Sequence, residues 1–248
     1  MTIDLSGRVV AVTGASSGIG EATALACVQA GAAVSLAARR SDRIRALADR
    51  ITDEGGTALA VPTDVADERQ ARAFVEQTYE HLGRIDALVN NAGVMLLGAV
   101  TGADTSEWRR MIDANLYGVL YCSHAALPLM AQQGSGHIVN VSSVAGRIAS
   151  AGSAVYNMTK WGVNGFSEGL RQEALHAGVR VTIIEPGAVE TELIGQNNDA
   201  IQAMAAKVFE GVPPLAATDI ADAIVYALGV PENVAINELL IRPARQAR

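Results

Sequence analysis

The chain is predicted to fold as a doubly wound α/β domain, a parallel sheet covered by helices on both faces, and three observations carry that expectation. Short β-branched apolar runs alternate with longer helical patterns over nearly the whole length. Each run is near-continuously apolar at its centre, as in strands buried on both faces, instead of alternating as in half-exposed ones. The first run passes through a glycine-rich turn straight into a helix.

Taken in order, residues 8–13 (RVVAVT) form the first strand, with a helix near 19–30, and residues 33–38 the second, with a helix near 42–54. Strands at 57–62 and 86–90 precede helices near 67–82 and 106–133. Strands at 136–142 and 179–185 precede helices near 153–177 and 218–229, and residues 236–241 make the seventh strand. Ser41, Asp67, Thr105, Ser106 and Thr218 are cap-like residues at helix starts. Right-handed crossovers then give a three-layer sandwich around a seven-stranded parallel sheet. With no repeat, low-complexity run or Gly/Ser-rich linker, residues 1–248 are expected to form a single domain. The alternation breaks at 188–217, which loosens after Pro186-Gly187, carries a helical piece near 199–209 and ends near Val212-Pro213-Pro214. An insertion of that length predicts a lid over a site.

Half of the 248 residues are hydrophobic and 18% are charged, so a large ordinary core is expected without a metal or disulfide staple. The net charge of −7, with no run of five like charges, argues against nucleic-acid or membrane-surface partners, which need a basic patch. No apolar stretch approaches the roughly 18 residues of a membrane-spanning helix. The opening Met1–Arg8 has neither a basic leader nor a long apolar segment, so no signal peptide and a cytoplasmic location are expected. Cys27 and Cys122 read as two reduced, buried thiols. His81, His124, His137 and His176 lack ligand spacing, and no metal is expected.

The turn Thr13-Gly-Ala-Ser-Ser-Gly-Ile-Gly20 joins strand to helix in the order a pyrophosphate site requires. Gly14 permits the tight turn, Gly18 the approach of backbone N–H groups to an anion, and Gly20 close helix–sheet packing. The second strand ends Ala38-Arg39-Arg40, where an acid would hold a ribose 2′-hydroxyl. Two guanidiniums there suit a 2′-phosphate and predict NADP(H) over NAD(H), the other reading being two solvated charges ahead of a helix. Tyr156 and Lys160 are i and i+4, so they share a helix face, and a phenol beside an ammonium can act as a proton donor to a carbonyl oxygen. Ser143 follows the fifth strand and Asn90-Asn91-Ala92-Gly93 follows the fourth, both at strand carboxyl ends where such sheets bind ligands.

TGASSGIG at 13–20, NNAG at 90–93, Asn115, Ser143 with Tyr156-x-x-x-Lys160, and Pro186-Gly-x-x-x-Thr191 occur in one order and spacing. With these motifs the chain resembles the single-domain, NADP-dependent short-chain dehydrogenases/reductases of Rossmann fold, over essentially its whole length. The resemblance implies Tyr156 as the acid/base, Ser143 as the residue orienting the substrate oxygen, and Lys160 as a ribose binder that lowers the tyrosine pKa. Asn115 would hold a water of the proton relay. Gly14, Ser16, Ser17, Gly18, Ile19 and Gly20 would cradle the cofactor with Arg39 and Arg40, Asp64 and Val65 would meet the adenine, and Asn91, Ala92, Gly93, Pro186, Gly187, Val189 and Thr191 would line the remainder. It further implies hydride transfer between NADPH and a small-molecule aldehyde or ketone, in a homotetramer (alternatively a dimer) built on the helices near 106–133 and 153–177. Segments such as Ser143-Val-Ala-Gly-Arg147 and Pro186–Leu193 are similar to serine or 3-hydroxy-acid dehydrogenases and more so to the clavulanate-dehydrogenase type, which suggests a carboxylated or β-lactam-type aldehyde or a 3-hydroxy acid. Arg147 could pair with a substrate carboxylate, cross a subunit interface or face water. Met95, Leu96, Leu97, Trp161 and residues 193–212 are candidate apolar walls. The rival readings are a non-catalytic NADP(H)-binding regulator and an epimerase or dehydratase of the same superfamily.

Overall fold

Seven strands form one sheet in the computed structural model, which describes residues 3–208 and 210–247: β1 Val9–Thr13, β2 Ala33–Ala38, β3 Ala58–Pro62, β4 Ala87–Asn90, β5 Gly136–Val141, β6 Val179–Pro186 and β7 Glu238–Ile241. Their order is β3-β2-β1-β4-β5-β6-β7 and every pairing is parallel. The winding reverses between β1 and β4, so a crevice opens outside the carboxyl ends of those two strands.

The helices are α1 Gly18–Gln29, α2 Ser41–Asp53, α3 Glu68–Leu82, α4 Thr105–Ile112, α5 Gly118–Gln133, α6 Ala154–Ala174, α7 Asp199–Val208 and α8 Ala217–Gly229. Alternate strand residues feed two cores. Val10, Val12, Val34 and Leu36 pack with Ala24 and Cys27 of α1, Ile44 and Leu47 of α2, and Ile220 and Ile224 of α8. Ala11, Ala37, Leu88 and Ile138 pack on the opposite face with Phe74 of α3, Cys122 and Met130 of α5, and Leu170 of α6. Each large side chain so buried stabilises the fold by about 1.5–3 kcal/mol, which explains why the strands need to be apolar at consecutive positions.

Three local differences from the sequence expectation have physical causes. The helix expected over 106–133 is interrupted by a π turn at Asp113–Tyr117, between α4 and α5. The cap of α4 is Asp104, whose carboxylate accepts from Ser106 N at 2.8 Å, one residue ahead of Thr105. At α8, Asp219 accepts from Ala216 N at 2.8 Å, and Thr218 is already inside the helix. Asp67 does cap α3, accepting from Gln70 N at 3.1 Å.

The 188–217 segment is pinned at its base by Glu190 N to Leu215 O (2.9 Å) and Leu215 N to Ala188 O (2.9 Å). Within it the buried Asn197 accepts from Leu97 N at 2.7 Å and donates to Met95 O at 2.8 Å, joining the segment to the loop after β4. The helical piece near 199–209 is α7, and residue 209 lies outside the described residues. Cys27 and Cys122 are unpaired and buried, and burial pushes both thiols up to about 12, far from the range of reactive thiolates. Among the described residues no helix is long and apolar enough to cross a membrane.

His137 stands at the opposite end of the sheet from the crevice. Its Nε2 lies 2.7 Å from Thr182 Oγ1, which itself donates to Ile236 O, so Nε2 carries the proton. Burial, with smaller effects from Arg180 and Arg8, pushes its pKa down to about 3. The folded chain therefore keeps a neutral imidazole that the unfolded chain protonates below about pH 6.5. This contribution to stability is complete above pH 6.5 and is lost as the pH falls toward 3. Urea unfolding is expected to show a His137 contribution of about 1.4 kcal/mol per pH unit between pH 6 and 4. His137→Gln should flatten the profile by that slope; equal slopes in both chains would show that His137 does not titrate on unfolding.

Candidate active site

The crevice begins with the glycine turn. Gly14 and Gly18 have φ of +68° and +58°, a backbone that side chains other than glycine rarely adopt. A Cβ on Gly14 would lie 2.8 Å from Ala92 Cα, and one on Gly20 would overlap the Gly14 carbonyl oxygen. Ser17 precedes α1 without a side-chain cap bond, which leaves the first N–H groups of a twelve-residue helix for an anion beside Ser16, Ile19 and Gly20. Thr13 Oγ1 accepts from Asn91 N (3.0 Å) and Ala92 N (3.1 Å), and Asn91 Nδ2 donates to Thr13 O (3.0 Å). The Asn91 side chain thus ties β4 to β1. This cradle and donor set fit a dinucleotide pyrophosphate.

The two arginines after β2 part company. Arg40 reaches over the turn, donating through Nε and Nη2 to Ser16 Oγ (3.1 and 2.8 Å) and through Nη2 to Ser17 Oγ (2.6 Å). Arg39 is exposed. Asp64 is half-buried and accepts from Ala66 N at 3.1 Å; Val65 is buried with its side chain against Gly118 at the start of α5. Pro186 closes β6, Gly187 N donates to Ile241 O at 2.7 Å, Val189 bridges to Leu215, and Thr191 rests on Gly18, where a Cβ would lie 3.1 Å from its methyl.

Helix α6 carries Tyr156 and Lys160 into the same crevice, both buried. Lys160 Nζ lies 5.8 Å from the Tyr156 ring centroid and donates to Val141 O at 2.9 Å. Ser143, at the start of a 3-10 turn (Val144–Gly146), accepts from Ala145 N at 3.1 Å and donates to Pro186 O at 3.4 Å. Asn115 sits inside the π turn with its amide fully engaged: Oδ1 accepts from Val94 N (2.8 Å), while Nδ2 donates to Val94 O (2.9 Å) and Thr159 Oγ1 (3.1 Å). Gly93 packs closely here, where a Cβ would lie 3.1 Å from Asn115 Oδ1.

Burial dominates both ionisable groups. It pushes the Tyr156 phenol up to about 12, with the Ser143 hydrogen bond pulling the other way, and pushes the Lys160 ammonium down to about 8.

Two further expectations are corrected. Arg147 is committed within the chain: Nε and Nη2 donate to both oxygens of Glu185 (2.7 and 2.8 Å), and Nη2 also pairs with Glu238. Glu185 is fully buried and accepts from Asn164 Nδ2 at 2.7 Å, so the guanidinium neutralises a charge that would otherwise be stranded. Trp161 is 53% exposed on the outer face of α6 and forms no wall of the crevice. Val94, Leu96 and Met111 pack with Tyr156, and Met95 and Leu97 lean on that cluster. Sequence reading missed Glu185, Glu192 and Asn197; the one available signal was acidity after Pro186 opposite a basic stretch at 39–43.

A glycine cradle at a helix start, with a buried tyrosine and lysine and a half-buried serine at the same sheet edge, defines a dinucleotide-binding oxidoreductase site. The chain belongs to the short chain dehydrogenase family, whose profile matches residues 8–202. An uncharacterized oxidoreductase of Staphylococcus saprophyticus is 42% identical over 245 residues, covering 97% of each chain. Glycine betaine reductase of Emericella nidulans is 40% identical over 239 residues, 96% of this chain, which spans only 19% of that protein's length. The closed form of serine dehydrogenase complexed with NADP+ superimposes with a TM-score of 0.87 at 34% identity, covering 97% of both chains.

Arg147→Ala should leave the Glu185 carboxylate buried without its partner and lower stability by about 3 kcal/mol in urea unfolding. A variant of unchanged stability would return Arg147 to the list of groups free to meet a ligand.

Proposed function

We propose that the chain is an NADP(H)-dependent oxidoreductase that interconverts an aldehyde or ketone and its alcohol. The observation that carries this reading is the placement of buried Tyr156 and Lys160 on one face of α6, with Ser143 at the end of β5, in the crevice that also holds the glycine turn. When bound, the nicotinamide supplies or accepts the hydride. Tyr156 donates its phenolic proton to the carbonyl oxygen, Ser143 orients that oxygen, and Lys160 with the Asn115 turn holds the water that returns the proton. Ser16, Ser17 and Arg40 form a site for a 2′-phosphate, which supports NADP(H); the serine dehydrogenase neighbour, itself an NADP+ complex, supports the same cofactor.

The substrate class is narrowed by Arg147. With its guanidinium taken by Glu185, and with Glu107 lining, beside Leu96, Trp108, Met111 and Val155, the recess next to the Tyr156 cluster, the site suits a small neutral carbonyl better than a carboxylated one. Residues 188–217 act as the lid of this single 1–248 domain. Met158 and Trp161 on α6, and the stacked Tyr117 and Tyr121 (centroids 5.5 Å apart), expose apolar surface on the two helical elements through which a homotetramer would assemble.

Tyr156→Phe is expected to keep NADPH binding, read by fluorescence titration, and to lose about 10²–10⁴-fold in turnover of a neutral aldehyde. Turnover at the wild-type rate would remove Tyr156 from the chemistry.

A further inference from the structure

Glu192 belongs to the 188–217 segment, yet its carboxylate is held by two arginines at the start of α2. Oε2 accepts from Arg40 Nη1 at 2.7 Å and Oε1 from Arg43 Nη1 at 2.8 Å. These bonds, that of Arg43 first, pull the Glu192 pKa down to about 2, so it is an anion throughout the working range. The same Arg40 is already bonded to Ser16 and Ser17, so four of its five N–H groups are directed at protein acceptors. Arg40 and Arg43 are one helical turn apart and bracket the glycine turn, with Arg43 and Ser16 lining one groove.

We infer that Glu192 is a specificity-determining residue for the cofactor, an internal competitor whose carboxylate occupies the guanidinium donors a 2′-phosphate takes. The inference rests on the NADP(H) reading above. A 2′-phosphate brings three acceptor oxygens and a larger charge than a carboxylate, so it displaces Glu192 from Arg40 and Arg43 and frees the early part of the lid from α2. A nucleotide without that phosphate leaves the clasp closed. All three side chains are about half exposed, between 41% and 53%, so the carboxylate is held weakly enough to be exchanged. Thr191, against Gly18, places the clasp directly beside the pyrophosphate cradle.

The test is calorimetric titration of two probes, adenosine 2′,5′-bisphosphate and adenosine 5′-monophosphate, into the wild-type chain, Glu192→Gln and the control Glu190→Gln. The control removes the same charge from a neighbouring exposed position. Glu192→Gln is expected to tighten the bisphosphate about five-fold and to leave the monophosphate within about two-fold, while Glu190→Gln changes neither. Unchanged or weaker bisphosphate binding in Glu192→Gln, equal tightening of both probes, or the same gain in Glu190→Gln would overturn the inference while leaving the NADP(H) reading intact. A wild-type chain that binds the two probes alike would overturn both.

Discussion

A buried ammonium is the constraint on which the site depends. Lys160 is one of two lysines among 19 basic residues, and it lies where a compact, desolvated cation is needed in place of a guanidinium fork. Its Nζ is fixed by the Val141 carbonyl at the end of β5, and its own carbonyl accepts from Ser142 Oγ at 3.3 Å. Around it space is short: a Cβ on Gly146 would lie 2.8 Å from Asn164 Nδ2, 2.9 Å from Ser142 Oγ and 3.1 Å from the Lys160 carbonyl oxygen. Asn115, bonded to Val94 and Thr159, locks the loop after β4 and the π turn against α6. This network fixes the ammonium beside Tyr156.

Most of the fold was legible because a sheet buried on both faces writes itself as consecutive apolar residues. All seven strands lie where such runs occur, although β7, at the sheet edge, leaves Glu238 and Leu240 exposed, and the glycines of the first turn announce the cradle. The π turn was not legible, because Asn115 is drawn into the helix by Val94 and Thr159, contacts 21 and 44 residues away. Arg39 and Arg40 are neighbours in sequence, and only the serines they meet or miss distinguish them. Arg147 looked free because its partners, Glu185 and Glu238, lie on β6 and β7, 38 and 91 residues on. Trp161 is apolar and adjacent to Lys160, but one residue of helix turns it about 100° away from the crevice.

These long-range ties also divide the molecule by task. The two sheet faces are packed with aliphatic side chains and supply stability, while polar groups gather at the carboxyl edge of β1, β4, β5 and β6. The 188–217 segment touches that edge at both ends, through Glu192 on the arginine side and Asn197 on the Met95–Leu97 side. An overall charge of −7 repels an anionic nucleotide at long range, so its capture relies on the local donors of α1 and Arg40.

The most direct test of the account is the pH dependence of kcat/KM for NADPH-dependent reduction of a neutral aldehyde between pH 6 and 10. With Lys160 held down to about 8 and Tyr156 up at about 12, the rate should stay level to about pH 8 and then fall toward tenfold per unit as the ammonium loses its proton. A rate that stays level through pH 10 would contradict the claim that a charged, buried Lys160 sustains the proton donor.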